Sequence, residues 1–293
     1  MHRSDFGHTA VNGVLAMTTL SAFNRFTGEL RADGHLMPVL FVGHGSPMNG
    51  IEDTAFSRKW SQLARSIPKP KAVLVISAHW LTRGTRITAM NAPRTIHDFG
   101  GFPKELFAVQ YPAPGDPALA AETAALLSST KAELDHDWGL DHGAWTIVRH
   151  MYPDADIPVL QLSIDATKGP QYHYDLAKEL YALRRKGVLI LGSGNMVHNL
   201  RMVAWDRINE PEFGYDWAHE INDTFKNLIS GGAHGRLIRY EELGRAAQLA
   251  IPTPEHYWPL LYTLGLQGAH DPVSFFNDKA VGGSLTMTSV QFG

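Results

Sequence analysis

The sequence has no cysteine. Disulfides, thiolate nucleophiles, iron–sulfur clusters and cysteine-based zinc sites are therefore excluded together. It has no apolar run approaching the ~18 residues of a bilayer span, so no membrane-crossing helix is expected. Nor does it have a block of charge of either sign. Its 26 basic and 29 acidic residues leave a formal net charge of −3, which argues against a nucleic-acid binder held by a general phosphate-neutralising field. Internal repeats and low-complexity tracts are also missing. What stands out against these absences is histidine, with 15 copies in 293 residues. Any metal held by this chain must be held by nitrogen and oxygen.

Residues 1–36 read as an extension ahead of a domain over 37–293. Val11 to Phe23 is mildly apolar but interrupted by Asn12, Thr18, Thr19 and Ser21, without a twin-arginine pair or a clean small-x-small cleavage site. The cytoplasm is the expected location. From Met37 the pattern becomes strand, helix, strand. Met37–Gly43, Lys71–Ser77, Ile157–Ser163 and Gly187–Gly192 are short continuous apolar runs, as in strands buried on both faces, and Arg86–Met90 is a further candidate. Helical spacing predicts helices over 52–66, 117–128, 172–185, 212–230 and 253–264. Alternation over Ser284–Phe292 predicts a strand at or near a sheet edge, which leaves room for pairing across a homodimer. The fold expected is a single α/β domain, with a mostly parallel central sheet flanked by helices.

Three strands end in the same way. The first runs into Gly43-His44-Gly45-Ser46-Pro47, the second into Ser77-Ala78-His79-Trp80, and the strand at 187–192 into Gly192-Ser193-Gly194-Asn195-Met196-Val197-His198-Asn199. Ligand crevices in open α/β sheets lie beyond the carboxyl ends of the strands. One histidine at a strand end is ordinarily structural; three in a cysteine-free chain favour a metal site, since imidazole suits Zn, Cu, Fe and Ni. The glycines of 192–194 suggest a nucleotide loop, but Val197 stands where the third glycine of G-x-G-x-x-G belongs, and no Lys-Ser/Thr pair follows. Pro252-Thr253-Pro254-Glu255-His256 offers a further ligand, either Glu255 or His256. Thr253 there is placed to cap a helix and Pro254 to occupy its first turn. Asp141-His142-Gly143 precedes a helix, and His97-Asp98-Phe99-Gly100-Gly101-Phe102 is an aromatic loop able to close over a flat substrate. His2, His8, His35, His136, His150, His173, His219, His234 and His270 lack such context and read as ordinary.

Taken in order, these motifs over about residues 37–292 resemble the class III, LigB-type extradiol ring-cleaving dioxygenases, and among them the 4,5-DOPA dioxygenase extradiol group. The resemblance implies a single α/β domain with one divalent metal per chain. Fe(II) serves dioxygenase activity, and Zn(II) is compatible with the isolated protein. By position, His44, His79 and His256 become metal ligands, and His198 a ligand or the adjacent acid–base. His142 falls beside the substrate, and His97, Phe99 and Phe102 on the substrate loop. In the wider class the third ligand is a glutamate; here Glu255 and His256 adjoin, and the DOPA-dioxygenase group favours His256.

The chemistry explains the economy of ligands. A catechol holding the metal through both hydroxyl oxygens, together with O₂, leaves about three of six positions to the protein. If four histidines touch the metal at rest, one must let go, and His198, on a glycine-flanked loop, is the candidate to leave and handle the substrate proton. Asp141 is the neighbour that would orient His142. The partners implied are a small catechol and O₂, with no nucleic acid and no membrane. Arg94 and Lys104 stand near the loop but read as solvated charges rather than carboxylate anchors. Two rival readings remain: a zinc hydrolase with a metal-bound water as nucleophile, and a non-catalytic binding protein of the same fold, as in the Memo-type relatives.

Overall fold

The computed structural model describes residues 36–293; the expected extension lies outside the described residues apart from Leu36. Eight strands form one sheet: β1 (Val39–Gly43), β2 (Ala72–Thr82), β3 (Arg86–Thr88), β4 (Glu133–Asp135), β5 (Val159–Asp165), β6 (Val188–Gly194), β7 (Val273–Phe276) and β8 (Ser289–Phe292). Their order across the sheet is β4-β3-β5-β2-β6-β1-β8-β7. The four central strands, β5, β2, β6 and β1, run parallel. β3 joins β5 antiparallel, and β8 and β7 close the other side antiparallel.

The central strands are apolar throughout because both faces are covered. Along β1, Val39 and Phe41 point into one core and Leu40 and Val42 into the other, the period-two alternation of a pleated strand. Helices α1 (Ala55–Ser66) and α3 (His142–Met151) cover the second face through Trp60, Ala144, Trp145 and Val148. Helices α4 (Pro170–Glu179), α5 (Asp216–Ser230) and α6 (Trp258–Gly265) cover the first through Leu176, Ile221, Phe225 and Leu260. Between α1 and α3 in sequence, α2 (Pro117–Leu126) starts on an Asp116 cap with Pro117 in its first turn.

Four expectations need correction. The helix expected over 172–185 breaks at Leu180 into α4 and a short helix over Tyr181–Arg185. The helix expected over 253–264 begins only at Trp258, because Thr253 bonds to a side chain instead of capping. Residues 284–292 split into two pieces; the second, β8, lies next to the sheet edge as expected, with β7, which carries no strong alternation, paired along its outer side. That pairing leaves β8 no open edge for a second copy. Finally, the strand expected over 187–192 runs on through Ser193 to Gly194.

Candidate active site

Because β2, β6 and β1 are adjacent and parallel, their carboxyl ends deliver His79, the 194–198 turn and His44 to one place. β2 helps by losing its register against β5 between Ile76 and Leu81: Ser77 stays paired with Ser193 of β6, while Ala78 to Trp80 bulge out of the ladder. Bulges of this kind re-aim side chains next to sites. The fourth histidine arrives on the chain before α6. It comes close only because β6 carries glycines: a Cβ at Gly194 would lie 2.1 Å from the His256 carbonyl, and one at Gly192 2.6 Å from that of Pro259. Asn195 N–H donates to the His256 carbonyl at 2.9 Å, completing that contact.

The ring orientations follow from hydrogen bonds. Ser193 Oγ–H donates to the Gly143 carbonyl at 2.6 Å, so towards His44 Nδ1, at 2.9 Å, it acts as acceptor. His44 therefore carries its proton on Nδ1 and leaves Nε2 bare. Asp98 Oδ2 lies 3.4 Å from His79 Nδ1 and 2.9 Å from His142 Nδ1, which puts the proton of each ring on the nitrogen facing the carboxylate. Asp98 Oδ1 also accepts from His142 N–H at 2.9 Å. Glu255 Oε1 faces His256 Nδ1 at 3.3 Å and accepts from Thr253 Oγ at 2.8 Å. Carboxylates set behind imidazoles are the usual means of fixing metal-ligand histidines.

With those protons assigned, His44 Nε2 and His79 Nε2 face each other 3.1 Å apart, both as lone pairs. Two acceptors at that separation repel unless a cation lies against them. One donor atom each from His44, His79 and His256 falls within 4.8 Å of the others. This donor set, neutral, nitrogen-only and preoriented, fits one divalent ion. Burial, then the neighbouring imidazoles, hold His44 and His79 well below the ordinary histidine value; burial does the same for His256 against the pull of Glu255. Glu255 is lowered too: burial would raise it, but hydrogen bonds from His256 and Thr253 hold it at about 2, a fixed anion. Asp98 is likewise held low, its burial outweighed by the bonds from His142.

His198 stands apart from this trio. It groups with Glu255 and His256, its ring stacked on His256 with centroids 3.6 Å apart and planes at 7°. Its backbone is tied down, donating to the Ala250 carbonyl at 2.8 Å and bridging to Leu285, instead of standing on the unpaired glycine-flanked loop expected of it. Burial, then His256, push it down to about 3, so it is a neutral acceptor.

His44, His79, His142, His198, His256 and Phe102 all line one cavity of about 550 Å³. His97 and Phe99 do not line it: His97 Nε2 bonds to the Val109 carbonyl at 3.0 Å, and Phe99 packs edge-on behind His142 and Phe102. Asp141 does not orient His142. It caps α3 at Ala144 and takes bonds from Ser77 Oγ and Gln161 Nε2, each at 2.7 Å. That task falls to Asp98, which the sequence offered only as part of the aromatic loop. Ser193, hidden in a glycine pair, was likewise missed.

Fold and pocket together define an α/β enzyme with a candidate metal centre at the carboxyl edge of its sheet. Residues 35–292 match the family described as the catalytic LigB subunit of aromatic ring-opening dioxygenase, whose members are metal-dependent, and the chain belongs to that family. It is an oxidoreductase, an extradiol ring-cleaving dioxygenase. Similar proteins include the 4,5-DOPA dioxygenase extradiol of Escherichia coli (strain K12), 48% identical over 261 residues that cover 88% of this chain and 95% of that protein. The protein of the same name from Beta vulgaris is 34% identical over 269 residues, 89% of this chain and 98% of its own. A crystal structure of an uncharacterized protein from Escherichia coli K12 superposes with a TM-score of 0.76 at 42% identity, covering 88% of this chain and 100% of that one. Among the described residues no helix is long and apolar enough to cross a membrane.

Proposed function

We propose that this enzyme opens the ring of a catechol-type aromatic, L-DOPA-like or related, with O₂, and that Fe(II) is its working metal. The observation that carries the reading is the pair of bare imidazole nitrogens of His44 and His79 facing each other at 3.1 Å beside His256. His44, His79 and His256 would hold the ion, which favours His256 over Glu255 as third ligand, since Glu255 faces the far side of the His256 ring. Iron in this place supplies a path for electron density from the catecholate to O₂, which redox-silent zinc lacks.

The protein's own groups manage protons and position. His198, neutral and lining the cavity, accepts the proton of one substrate hydroxyl and returns it later. His142, whose Nδ1–H is committed to Asp98, offers its other nitrogen as acceptor to the second hydroxyl. Phe102 and the cavity's apolar outer wall exclude water around the ring.

The test is oxygen uptake by metal-stripped protein reloaded anaerobically with Fe(II), against a zinc-loaded control, over a panel of catechols. Oxygen consumed one-for-one with a yellow ring-opened product, in the iron sample alone, is the expected result. Absence of uptake with every catechol at full Fe(II) loading would reject the reading of substrate and metal.

A further inference from the structure

Ser77 and Ser193 are register partners on the neighbouring strands β2 and β6, and both are fully buried. Each commits its one hydroxyl proton to the first turn of α3. Ser77 Oγ–H donates to Asp141 Oδ1 at 2.7 Å, and Ser193 Oγ–H to the Gly143 carbonyl at 2.6 Å. That turn lies close against the strand ends: a Cβ at Gly143 would stand 2.5 Å from Ser77 Oγ and 3.0 Å from the His79 ring. With its proton committed, each hydroxyl can only accept from its other neighbour. For Ser77 that neighbour is the His79 backbone N–H, at 3.2 Å. For Ser193 it is the His44 ring, with Nδ1 at 2.9 Å.

The two serines thus tie the same turn to the same sheet, with one difference. Only Ser193 meets a ring nitrogen, the atom that decides which tautomer its histidine takes. His79 and His256 have carboxylates facing Nδ1, from Asp98 and Glu255. An ionised carboxylate can only accept, so it imposes the Nδ1–H form unaided. A hydroxyl imposes that form only when its own proton is fixed elsewhere, and the Gly143 carbonyl fixes it.

We propose that Ser193 is a positioning residue that locks His44 in the tautomer able to bind a metal, with the Gly143 carbonyl as the other half of the lock. The proposal rests on the reading of His44 as a metal ligand and not on the choice of catechol. Without the hydroxyl, the neutral ring divides between its Nδ1–H and Nε2–H forms. The second form must move its proton from Nε2 to Nδ1 before Nε2 can meet a cation. The ring also loses the contact that sets its orientation.

The experiment compares wild type, S193A and S77A, each metal-free. Long-range proton–nitrogen NMR of histidine-labelled protein reads the tautomer of His44, assigned by its absence from H44Q. Competition titration reads affinity for Zn(II). In the wild type His44 carries its proton on Nδ1 alone. S193A mixes the two tautomers and binds Zn(II) about tenfold more weakly. S77A removes an equivalent buried hydrogen bond to the same turn and leaves the His44 tautomer single. Mixing in S77A as large as in S193A would mean a loosened turn and overturn the proposal. So would an S193A that keeps the single Nδ1–H form and wild-type affinity. His44 protonated on Nε2 in the wild type would overturn it whether or not either variant folds. Failure of the wild type to take up Zn(II) would reject the metal reading alone, because the tautomer is read without metal.

Discussion

The two ends of the central strands bury polar groups by opposite rules. At the amino end, Arg184 is fully buried before β6, yet it donates to the Met37 carbonyl at 2.8 Å, the Leu266 carbonyl at 2.7 Å and Asp271 at 2.6 Å. Charge meets charge, and Nε and Nη1 meet acceptors, with Nη2 alone left without a hydrogen-bond partner. At the carboxyl end, His44 and His79 turn acceptor against acceptor, with Asp98 and Ser193 enforcing that unfavourable arrangement from behind. A buried polar cluster that satisfies itself is structure; one that is held unsatisfied requires a third party. His173 shows that burial alone is no mark of function. It is fully buried and pushed down to about 4, chiefly by burial, but its Nδ1 meets only Tyr262 Oη, at 3.0 Å, within the core.

The contrast breaks most visibly if one bare nitrogen is removed. His79→Ala should lower oxygen uptake at least about 10³-fold and leave the urea midpoint of the metal-free protein nearly unchanged. Arg184→Met should do the reverse: folding stability falls by about 3–5 kcal/mol in urea titration, since Asp271 loses its ion-pair partner, while turnover per folded molecule stays put. The third effect is one of pH. His173 folds neutral, with its value lowered from 6.5 to about 4, so its contribution is complete above pH 6.5 and is lost as pH falls towards 4. That loss reaches about 3 kcal/mol, and denaturation midpoints of the wild type should fall more steeply across this window than those of His173→Gln. Parallel curves would refute it. Smallest is Asp98→Asn, which keeps shape but weakens the hold on two imidazoles; competition titration should show metal affinity about 10- to 100-fold lower.

Much of this was legible in the sequence. Continuous apolar runs marked β1, β2, β5 and β6, because a strand covered on both faces has no polar face to show. The histidines at their ends followed from the same pattern. What stayed hidden depended on tertiary neighbours. β4 and β7 are too short and too exposed to carry a signal. Asp98 reads as a loop residue until the fold sets it beside two imidazoles 2.9 and 3.4 Å away. Asp141, adjacent to His142, looked like its partner, but helix geometry turns it inward to cap α3. The break at Leu180 carries no proline or glycine to announce it.

In the proposed function two neighbouring rings divide the labour: His256 would hold the metal, whereas His198, stacked 3.6 Å away, would move the proton. Metal content and oxygen uptake measured side by side on His198→Ala and His256→Ala test it most directly. His198→Ala should keep one Fe(II) per chain but lose turnover, and His256→Ala should lose both. Loss of iron from His198→Ala as complete as that from His256→Ala would contradict it.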